Sequence, residues 1–333
     1  MDCALAVDTL WPALLQARSL SSAGVRDLAF VERATEWTCE ATESLTVAGA
    51  TQVVFVVAPT HPVPRPDVMA QARASTLAWR DDGMPDFQHT RQPVDAAVLT
   101  LLRVYGPVLL GAAAARARGG VFVVGHVTQT LDGRIACANR SPQWIGNTAD
   151  RRHAHRMRAL CDAVMVGAST ALGDDPRLTV RDVPGPQPRR IVLSGHGSVL
   201  RTKRQLQLFT DHGCDVVTRT NVTEPAPAGV RRIDIDAPCG GLPPATILAE
   251  LARRGVHSIY LEGGARTLSS FLTEDALDLL QVHIAPIVLG SGLTSFDLPE
   301  VATLQKAHSF AMQHATLDGD VLLSCRPQSA RRP

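Results

Sequence analysis

Short apolar runs typical of strands alternate with helical segments from residue 121 onward, and this alternation constrains the fold more than any other feature. Residues 121–127 form a run of β-formers long enough for a buried strand. Further strands are predicted at residues 162–166, 190–193, 215–217, 256–261, 279–287 and 321–325. Because these runs are apolar on successive positions, both faces of the sheet need a cover of helices, as in an α/β sandwich.

Three helices are predicted between these strands. The first begins at Asn147 or Thr148, either of which can cap it, and ends near Leu160. The second covers residues 244–254, and the third follows the pair Gly263-Gly264. This order of strands and helices places a helix after several of the strands, as a parallel sheet requires.

The first third of the chain has a different pattern. Helices are predicted at residues 11–18 and 94–104, and one convincing strand at 53–57 precedes the proline-broken stretch 59–66. The alanine-rich residues 111–118 end at Gly119-Gly120 and are expected to be a linker or the last turn before a new domain. We therefore expect a smaller N-terminal α/β region at residues 1–118, of open role, and a second domain at residues 119–333.

Charge and cysteine usage exclude several classes of function. The formal net charge is +1, whereas a nucleic-acid-binding domain is normally strongly basic. Lys203 and Lys306 are the only lysines, which nearly rules out lysine chemistry. The seven cysteines form no CxxC pair, so a disulfide framework or a zinc cage is not expected and a reducing cytosol is.

The sequence also argues against membrane insertion and export. The N-terminus lacks a basic region and carries Asp2 and Asp8, unlike a signal peptide. No apolar run is expected to reach the length of a membrane-spanning helix. These observations predict a soluble cytoplasmic protein without a membrane partner.

Familiar nucleotide and metal motifs are missing. No GxGxxG follows the first strand, and the chain has neither GxxxxGK nor the HxE and PCxxC of zinc deaminases. His153 and His155 lie about 200° apart around a helix axis, so they cannot chelate one metal as an i, i+4 pair could. We expect them in solvated or core-edge positions, and we expect no metal site.

A series of short blocks remains, and their order and spacing are informative. They are residues 130–136 (TLDGRIA), Trp144-Ile145, Arg158-Ala159, Asp162-Ala163, Gly167, Thr170, residues 174–181 (DDPRLTVR), 262–268 (EGGARTL) and 285–290 (APIVLG). Together they resemble the reductase domain of bacterial riboflavin biosynthesis, a relative of dihydrofolate reductase in fold. The resemblance implies a dihydrofolate-reductase-like three-layer sandwich with a mixed, mostly parallel central sheet, and a homodimer.

The resemblance also implies an activity. Family members reduce 5-amino-6-(5-phosphoribosylamino)uracil with NADPH, converting the ribosyl chain to ribityl. In bifunctional relatives a zinc deaminase precedes the reductase domain, and residues 1–110 do not match it. Three alternatives stay open: reduction of a related pterin or deazaflavin-type precursor in secondary metabolism, dihydrofolate reduction, and non-catalytic nucleotide binding with an N-terminal region that recruits a partner.

Site residues follow from the same resemblance. Glu262 is expected to be catalytic and to face the substrate, a phosphorylated small molecule. The other expected substrate contacts are Arg158, Leu178 and Arg181. The expected cofactor contacts are Thr128, Trp144, Thr170, Asp174, Gly195, Gly263, Gly264, Ala265, Arg266 and Thr267. The chemistry agrees, because a glycine turn at a helix N-terminus suits a pyrophosphate and a guanidinium suits a phosphate.

Several positions depart from the family pattern. His126 stands where relatives usually have Lys, and we expect it to be catalytic or a structural polar residue, since imidazole exchanges protons near neutrality. Pro142 and Gly146 replace Ser and Thr around the tryptophan, and Ser194-Gly195 replaces Asp-Ser after the third strand. Donors for the 2′-phosphate of NADPH are expected from His196, Arg189 and Arg190 around the end of that strand.

Overall fold

The computed structural model describes residues 3–22, 28–33, 36–41, 50–57, 74–79, 85–88, 96–139, 144–210, 212–237 and 241–328. Contacts between residues divide the chain into two compact units, Met1–Arg118 and Gly119–Pro333. We call them unit 1 and unit 2.

Unit 1 contains a five-stranded sheet with helices. Its strands are β1 (Leu28–Arg33), β2 (Glu36–Ala41), β3 (Ala50–Val57), β4 (Ala74–Trp79) and β5 (Pro85–Gln88), in the order β2-β1-β3-β4-β5. Only the β3–β4 pair is parallel among these strand pairs. Helices α1 (Cys3–Ser22) and α2 (Ala96–Ala117) belong to the same unit, and the rings of Trp11 and Tyr105 meet edge to face at 6.2 Å between centroids.

The strand at residues 53–57 is confirmed, but four more strands accompany it. Charged residues interrupt the apolar pattern in two of them, since Glu32 and Arg33 lie in β1 and Glu36 and Glu40 lie in β2. Of the two expectations for residues 111–118, the linker is wrong, because α2 continues through Ala117, and the last turn before a new domain agrees with the division of the chain after Arg118. The proline-broken stretch 59–66 lies outside the described residues.

One sequence expectation about membranes needs correction. Helix α2 is long and apolar enough to cross a membrane by length and composition. Twelve of its residues, including Tyr105, are buried, as in the core helix of a folded domain.

Unit 2 is built on a nine-stranded sheet. Its strands are β6 (Phe122–Thr130), β8 (Ala163–Gly167), β9 (Arg189–Leu193), β10 (Cys214–Arg219), β11 (Val230–Ile235), β12 (Ser258–Leu261), β13 (Leu279–Ala285), β15 (Ser309–Leu317) and β16 (Asp320–Gln328), in the order β11-β10-β9-β8-β12-β6-β13-β16-β15. The first seven in this order are mutually parallel, while β16 pairs antiparallel with both of its neighbours, β13 and β15. The predicted mixed, mostly parallel sheet is therefore confirmed.

The remaining elements of unit 2 are a small ribbon and five helices. The ribbon pairs β7 (Arg134–Cys137) with β14 (Gly292–Thr294). The helices are α3 (Thr148–Leu160), α4 (Ala168–Asp174), α5 (Ser198–Arg201), α6 (Pro244–Arg253) and α7 (Ala265–Thr273). Asn147 is the N-cap of α3, and its side chain accepts a hydrogen bond from the Asp150 amide, as predicted.

The two faces of this sheet have different chemistry. On one face, Ile247 and Leu251 of α6 and Phe271 of α7 join an apolar core with strand residues such as Val123 and Met165. The other face, beneath α3, carries buried polar side chains, including His126, Gln281 and His283. The carboxyl ends of the parallel strands meet at one sheet edge, where ligands bind in open α/β sheets.

Candidate active site

A strand–turn–helix connection lies at the centre of this edge. Strand β12 ends at Leu261, the Glu262 amide donates to the Met165 carbonyl oxygen at 2.9 Å, and α7 begins two residues after Gly263. A Cβ atom on Gly263 would lie 3.0 Å from Thr267, and one on Gly264 would lie 3.1 Å from the Thr170 hydroxyl. The turn is therefore tightly packed, and glycine suits both positions.

The same turn leaves the first turn of α7 available to an anion. No side chain of the described residues caps this helix at Gly264. The Gly264 amide donates to Thr170 Oγ1 at 3.1 Å, while Arg266 is exposed and donates to Ser169. Free N–H groups and a positive dipole end suit the pyrophosphate of a dinucleotide, so Gly264, Ala265 and Arg266 fit the cofactor role expected of them.

Glu262 and Arg158 form a buried bidentate ion pair. Arg158 Nε lies 2.6 Å from Glu262 Oε1, and Nη2 lies 2.7 Å from Oε2. The arginine side chain is 8% exposed and the glutamate 15%. Arg158 Nη1 also donates to the Thr179 carbonyl oxygen at 3.1 Å. Burial lowers the pKa of Arg158, but the charge and hydrogen bonds of Glu262 outweigh it and raise that pKa.

This pair gives Arg158 a role that the sequence did not reveal. Its guanidinium orients Glu262 at the end of β12, and its contact with substrate remains a prediction. The spacing of the sequence blocks gave no signal of the Arg158–Glu262 pair, because 104 residues separate the two side chains.

The segment after α4 has unusual backbone geometry. Asp175 and Leu178 adopt positive φ angles of 45° and 53°, and Leu178 is buried. A left-handed leucine costs about 1–2 kcal/mol, and such strain is concentrated at functional sites. The Asp175 carboxylate stabilises the segment by accepting from the Gln207 amide at 2.8 Å, while Asp174 is exposed.

Arg181 is the exposed member of the predicted phosphate pair. Its side chain is 45% exposed and lies 3.9 Å from Asp182. Its amide donates to His155 Nδ1 at 3.1 Å, which fixes the backbone. Burial and then the positive charge of Arg158 lower the pKa of Arg181. Its action on a substrate phosphate remains a prediction.

The remaining expected cofactor residues lie in different environments. Trp144 is 71% exposed, and Thr267 packs against Gly167. Thr128 Oγ1 donates to Asp150 Oδ2 at 2.9 Å, which ties it to α3. The Gly195 carbonyl oxygen lies at the end of β9 and accepts from an arginine described next.

Two arginines were expected at the carboxyl end of β9, and this expectation is wrong. Arg189 and Arg190 begin β9, and their donors bind Asp215, the Gly213 carbonyl oxygen and other groups at the opposite sheet edge. Arg219, which ends β10, lies beside Gly195 instead. Its Nε donates to the Gly195 carbonyl oxygen at 3.2 Å, and its Nη2 lies 2.6 Å from His196 Nδ1.

Arg219 was missed because the weak strand predicted at residues 215–217 ends two residues before β10 does. A longer strand would have shown an arginine at the carboxyl edge of the sheet. The signal was available in the residues CDVVTR, in which the β-formers Val216, Val217 and Thr218 directly precede Arg219.

The two helix histidines are buried, so their expected solvated or core-edge positions are wrong. His153 Nε2 lies 2.9 Å from Gln281 Oε1, and burial lowers the pKa of His153 to about 3. Burial also lowers the pKa of His155 to about 4. Within the described ranges, no group of three or more His, Cys, Asp or Glu residues is arranged to hold a metal ion.

Two sequence blocks meet in one structural joint. Asp132, in the turn after β6, accepts hydrogen bonds from the amides of Leu289 and Gly290 at 3.1 and 2.7 Å. The Thr130 hydroxyl and these amides lower the pKa of Asp132 to about 2. The TLDGR and APIVLG blocks therefore hold each other in place near the carboxyl end of β6.

Comparison with known proteins places this arrangement in a family. The RibD C-terminal domain family matches residues 121–318. The 2,5-diamino-6-ribosylamino-4(3H)-pyrimidinone 5′-phosphate reductase of Methanothermobacter thermautotrophicus is 35% identical over 187 residues, which are 51% of this chain and 79% of that protein. The riboflavin biosynthesis protein RibD of Aquifex aeolicus is 37% identical over 175 residues, which are 51% of this chain and 48% of that protein. The chain thus spans about half the length of this second relative.

Solved structures with the same fold cover both units. The deaminase/5-amino-6-(5-phosphoribosylamino)uracil reductase of Thermotoga maritima aligns with a TM-score of 0.61 and 22% identity over 98% of this chain and 100% of that chain. RibD of Acinetobacter baumannii aligns with a TM-score of 0.59 and 20% identity over 97% of this chain and 100% of that chain. With its blocks in matching order and its sheet of matching fold, the chain belongs to the RibD C-terminal domain family.

Proposed function

We propose that this chain is an NADPH-dependent reductase that converts 5-amino-6-(5-phosphoribosylamino)uracil to the ribitylamino product of riboflavin biosynthesis. The observation that carries the proposal is the Glu262–Arg158 pair, which lies directly before the uncapped N-terminus of α7. It places a fixed carboxylate beside a site for a dinucleotide. Incubation of the purified protein with NADPH and this substrate tests the proposal.

The chain's own residues contribute mainly positioning and charge. NADPH, when bound, supplies the hydride for C1′ of the ring-opened ribosyl imine. Gly263, Gly264 and the first amides of α7 would hold its pyrophosphate. Glu262 would stabilise positive charge that develops on the substrate at C1′, and Arg158 keeps that carboxylate in a single orientation.

Arg181 is expected to bind the substrate phosphate. Losing one charged partner at a desolvated phosphate costs about 2–5 kcal/mol. Arg181→Ala should therefore raise KM at least tenfold for the phosphorylated substrate and much less for its dephosphorylated analogue. NADPH affinity should change by less than about threefold. Weaker NADPH binding with an unchanged phosphate preference would reassign Arg181 to the cofactor.

Arg219 and His196 are expected to select NADPH over NADH. They lie beside Gly195 at the carboxyl end of neighbouring strands, where a guanidinium and an imidazole could bind a 2′-phosphate. Arg219→Gln should weaken NADPH binding about tenfold or more and leave NADH binding within about twofold, as measured by calorimetry. Arg190→Gln is the matched control at the other sheet edge. Equal NADPH and NADH affinities in the unaltered protein would contradict this assignment.

A second substrate has an observation in its favour. The M. thermautotrophicus relative is named for the 2,5-diamino-6-ribosylamino-4(3H)-pyrimidinone 5′-phosphate, which retains the amino group that a deaminase removes. Both substrates share the phosphoribosylamino group that Glu262 and Arg181 would contact. Competition between them for the purified protein measures which ring is preferred.

Unit 1, we propose, has the fold of the deaminase half of bifunctional RibD proteins without its zinc chemistry. The T. maritima deaminase/reductase matches 98% of this chain, whereas the reductase-domain match begins at residue 121. Zinc deaminases carry HxE and PCxxC motifs, and the sequence contains neither. Metal analysis of the purified full-length protein should find no stoichiometric zinc, and one zinc ion per chain would contradict the proposal.

A cytoplasmic homodimer completes the proposal. Cys39, Cys137, Cys161, Cys214 and Cys325 are free thiols, which suits a reducing compartment. Exposed large apolar side chains, among them Val288, Leu304 and the edge-strand residue Met312, suit a surface between two copies. Neither nucleic acid nor membrane is among the expected partners.

A further inference from the structure

Two histidines and two aspartates alternate beneath α3. His283 Nε2 lies 2.7 Å from Asp320 Oδ2, and its Nδ1 lies 3.2 Å from Asp150 Oδ1. The same Asp150 oxygen lies 3.6 Å from His126 Nε2. The residues come from α3, β6, β13 and the start of β16, so tertiary structure alone brings them together. We call these four residues the histidine–aspartate network.

The network is buried and its charges depend on one another. All four residues are less than 9% exposed. His126 Nε2, Asp150 Oδ1 and His283 Nδ1 have no hydrogen bond of ordinary geometry, although two imidazole nitrogens converge on one carboxylate oxygen. A buried carboxylate is stable only with a compensating positive charge nearby.

Asp150 remains ionised in this environment. Burial alone would raise its pKa, but the hydrogen bond and charge of His126, the charge of His283 and the Thr128 hydroxyl lower the pKa to about 2. The ionised carboxylate therefore faces two imidazole nitrogens, His126 Nε2 and His283 Nδ1.

The two rings that face His126, those of His153 and Tyr260, carry no charge near neutral pH. From α3, the His153 ring lies 5.8 Å away, and burial lowers the pKa of His153 to about 3. From β12, the Tyr260 ring lies 5.4 Å away, and burial raises the pKa of Tyr260. From β13, Gln281 pairs with His126 in register. Arg158, also on α3, has its charge matched by Glu262.

The position of His126 connects the network to the reacting centre. Strands β6 and β12 pair in parallel up to Gly125 and Leu261, so His126 and Glu262 are the next residues on neighbouring strands. Continued by one residue, this parallel register puts their Cα atoms about 5 Å apart.

We propose that His126 donates the proton of the reduction and that Asp150, supported by His283 and Asp320, is the positioning residue that keeps it protonated. The proposal rests on the reductase function proposed above. The imine nitrogen takes the proton from His126, which gives an iminium whose positive charge at C1′ Glu262 stabilises. Hydride then adds to C1′, and the C=N bond becomes the single bond of the neutral amine. The imidazole left behind is neutral and regains a proton from solvent.

The direction in which the pH profile of kcat shifts tests the pairing of His126 with Asp150. Activity should fall at high pH as His126 loses its proton. Asp150→Asn removes the stabilising charge and should move this alkaline limb about 1–2 pH units lower, with KM changed by less than about threefold. His283→Gln removes a competing cation from Asp150 and should move the limb higher. A structural disturbance alone would not produce shifts of opposite sign.

A second measurement needs no substrate. Nuclear magnetic resonance of histidine-labelled full-length protein should show the His126 ring titrating lower in Asp150→Asn and higher in His283→Gln. Asp182→Asn is the matched control, because Asp182 lies 3.5 Å from His155 and outside the network, and it should leave the His126 titration unchanged. If either network variant leaves that titration unmoved, or both move it in one direction, the proposed pairing is overturned.

The two readouts separate this proposal from the function on which it rests. If the His126 titration shifts as expected but no substrate is turned over, the pairing of His126 with Asp150 stands. The reductase function, and with it the role of His126 as proton donor, is then overturned. Turnover with unchanged pH limbs in both variants would retain the reductase and overturn the network's role.

Discussion

Glu262→Gln should lower kcat about a hundredfold to a thousandfold. Glu262 is the one acidic side chain held at the end of β12, and removal of a preorganised charge at a reacting centre typically costs this much. Because the amide keeps the shape of the carboxylate, substrate binding should change far less than turnover. Steady-state kinetics with saturating NADPH measures both quantities.

A matched variant separates chemistry from folding. Glu274→Gln alters an exposed glutamate at the other end of α7 and should keep kcat within about twofold of the unaltered protein. If Glu262→Gln also keeps kcat within about threefold, Glu262 serves only as the structural partner of Arg158. The proposed role at C1′ would then be lost.

Arg158→Ala should produce the largest loss of stability among the site variants. It leaves the Glu262 carboxylate buried without a partner, and breaking a buried ion pair from one side costs about 3–5 kcal/mol of unfolding free energy. The turnover number should fall as well, because Glu262 loses the fork that orients it. Urea-induced unfolding followed by circular dichroism measures the first effect.

Arg181→Ala is the control for this prediction. Arg181 is half exposed, so its loss should lower the unfolding free energy by less than about 1 kcal/mol. The double variant Arg158→Met with Glu262→Gln should be less destabilised than the sum of its single changes, since each change removes the same contact. Additive losses would show that the pair is not energetically coupled.

The central strands of the nine-stranded sheet could be predicted from the sequence, and its edge strands could not. Buried parallel strands such as β8 and β12 show as continuous apolar runs, which periodicity detects. The edge strand β11 carries charged residues and the edge strand β15 mixes polar with apolar residues, so neither formed a continuous apolar run.

Site residues on one continuous segment were easier to predict than their partners. The glycine turn before α7 was recognisable from local chemistry. The Glu262–Arg158 pair and the histidine–aspartate network depend on contacts between residues far apart in the chain, which no spacing rule contains. Arg189 and Arg190 were assigned to the wrong end of β9, because they begin this strand and its carboxyl end lies at Leu193.

Consumption of NADPH by the purified full-length protein tests the central claim most directly. With 5-amino-6-(5-phosphoribosylamino)uracil present, the absorbance of NADPH should fall, and one ribitylamino product should form for each NADPH oxidised. The Glu262→Gln variant should lose nearly all of this rate under the same conditions. If neither this substrate nor the 2,5-diamino-pyrimidinone phosphate causes NADPH oxidation, the chain is not the reductase proposed here.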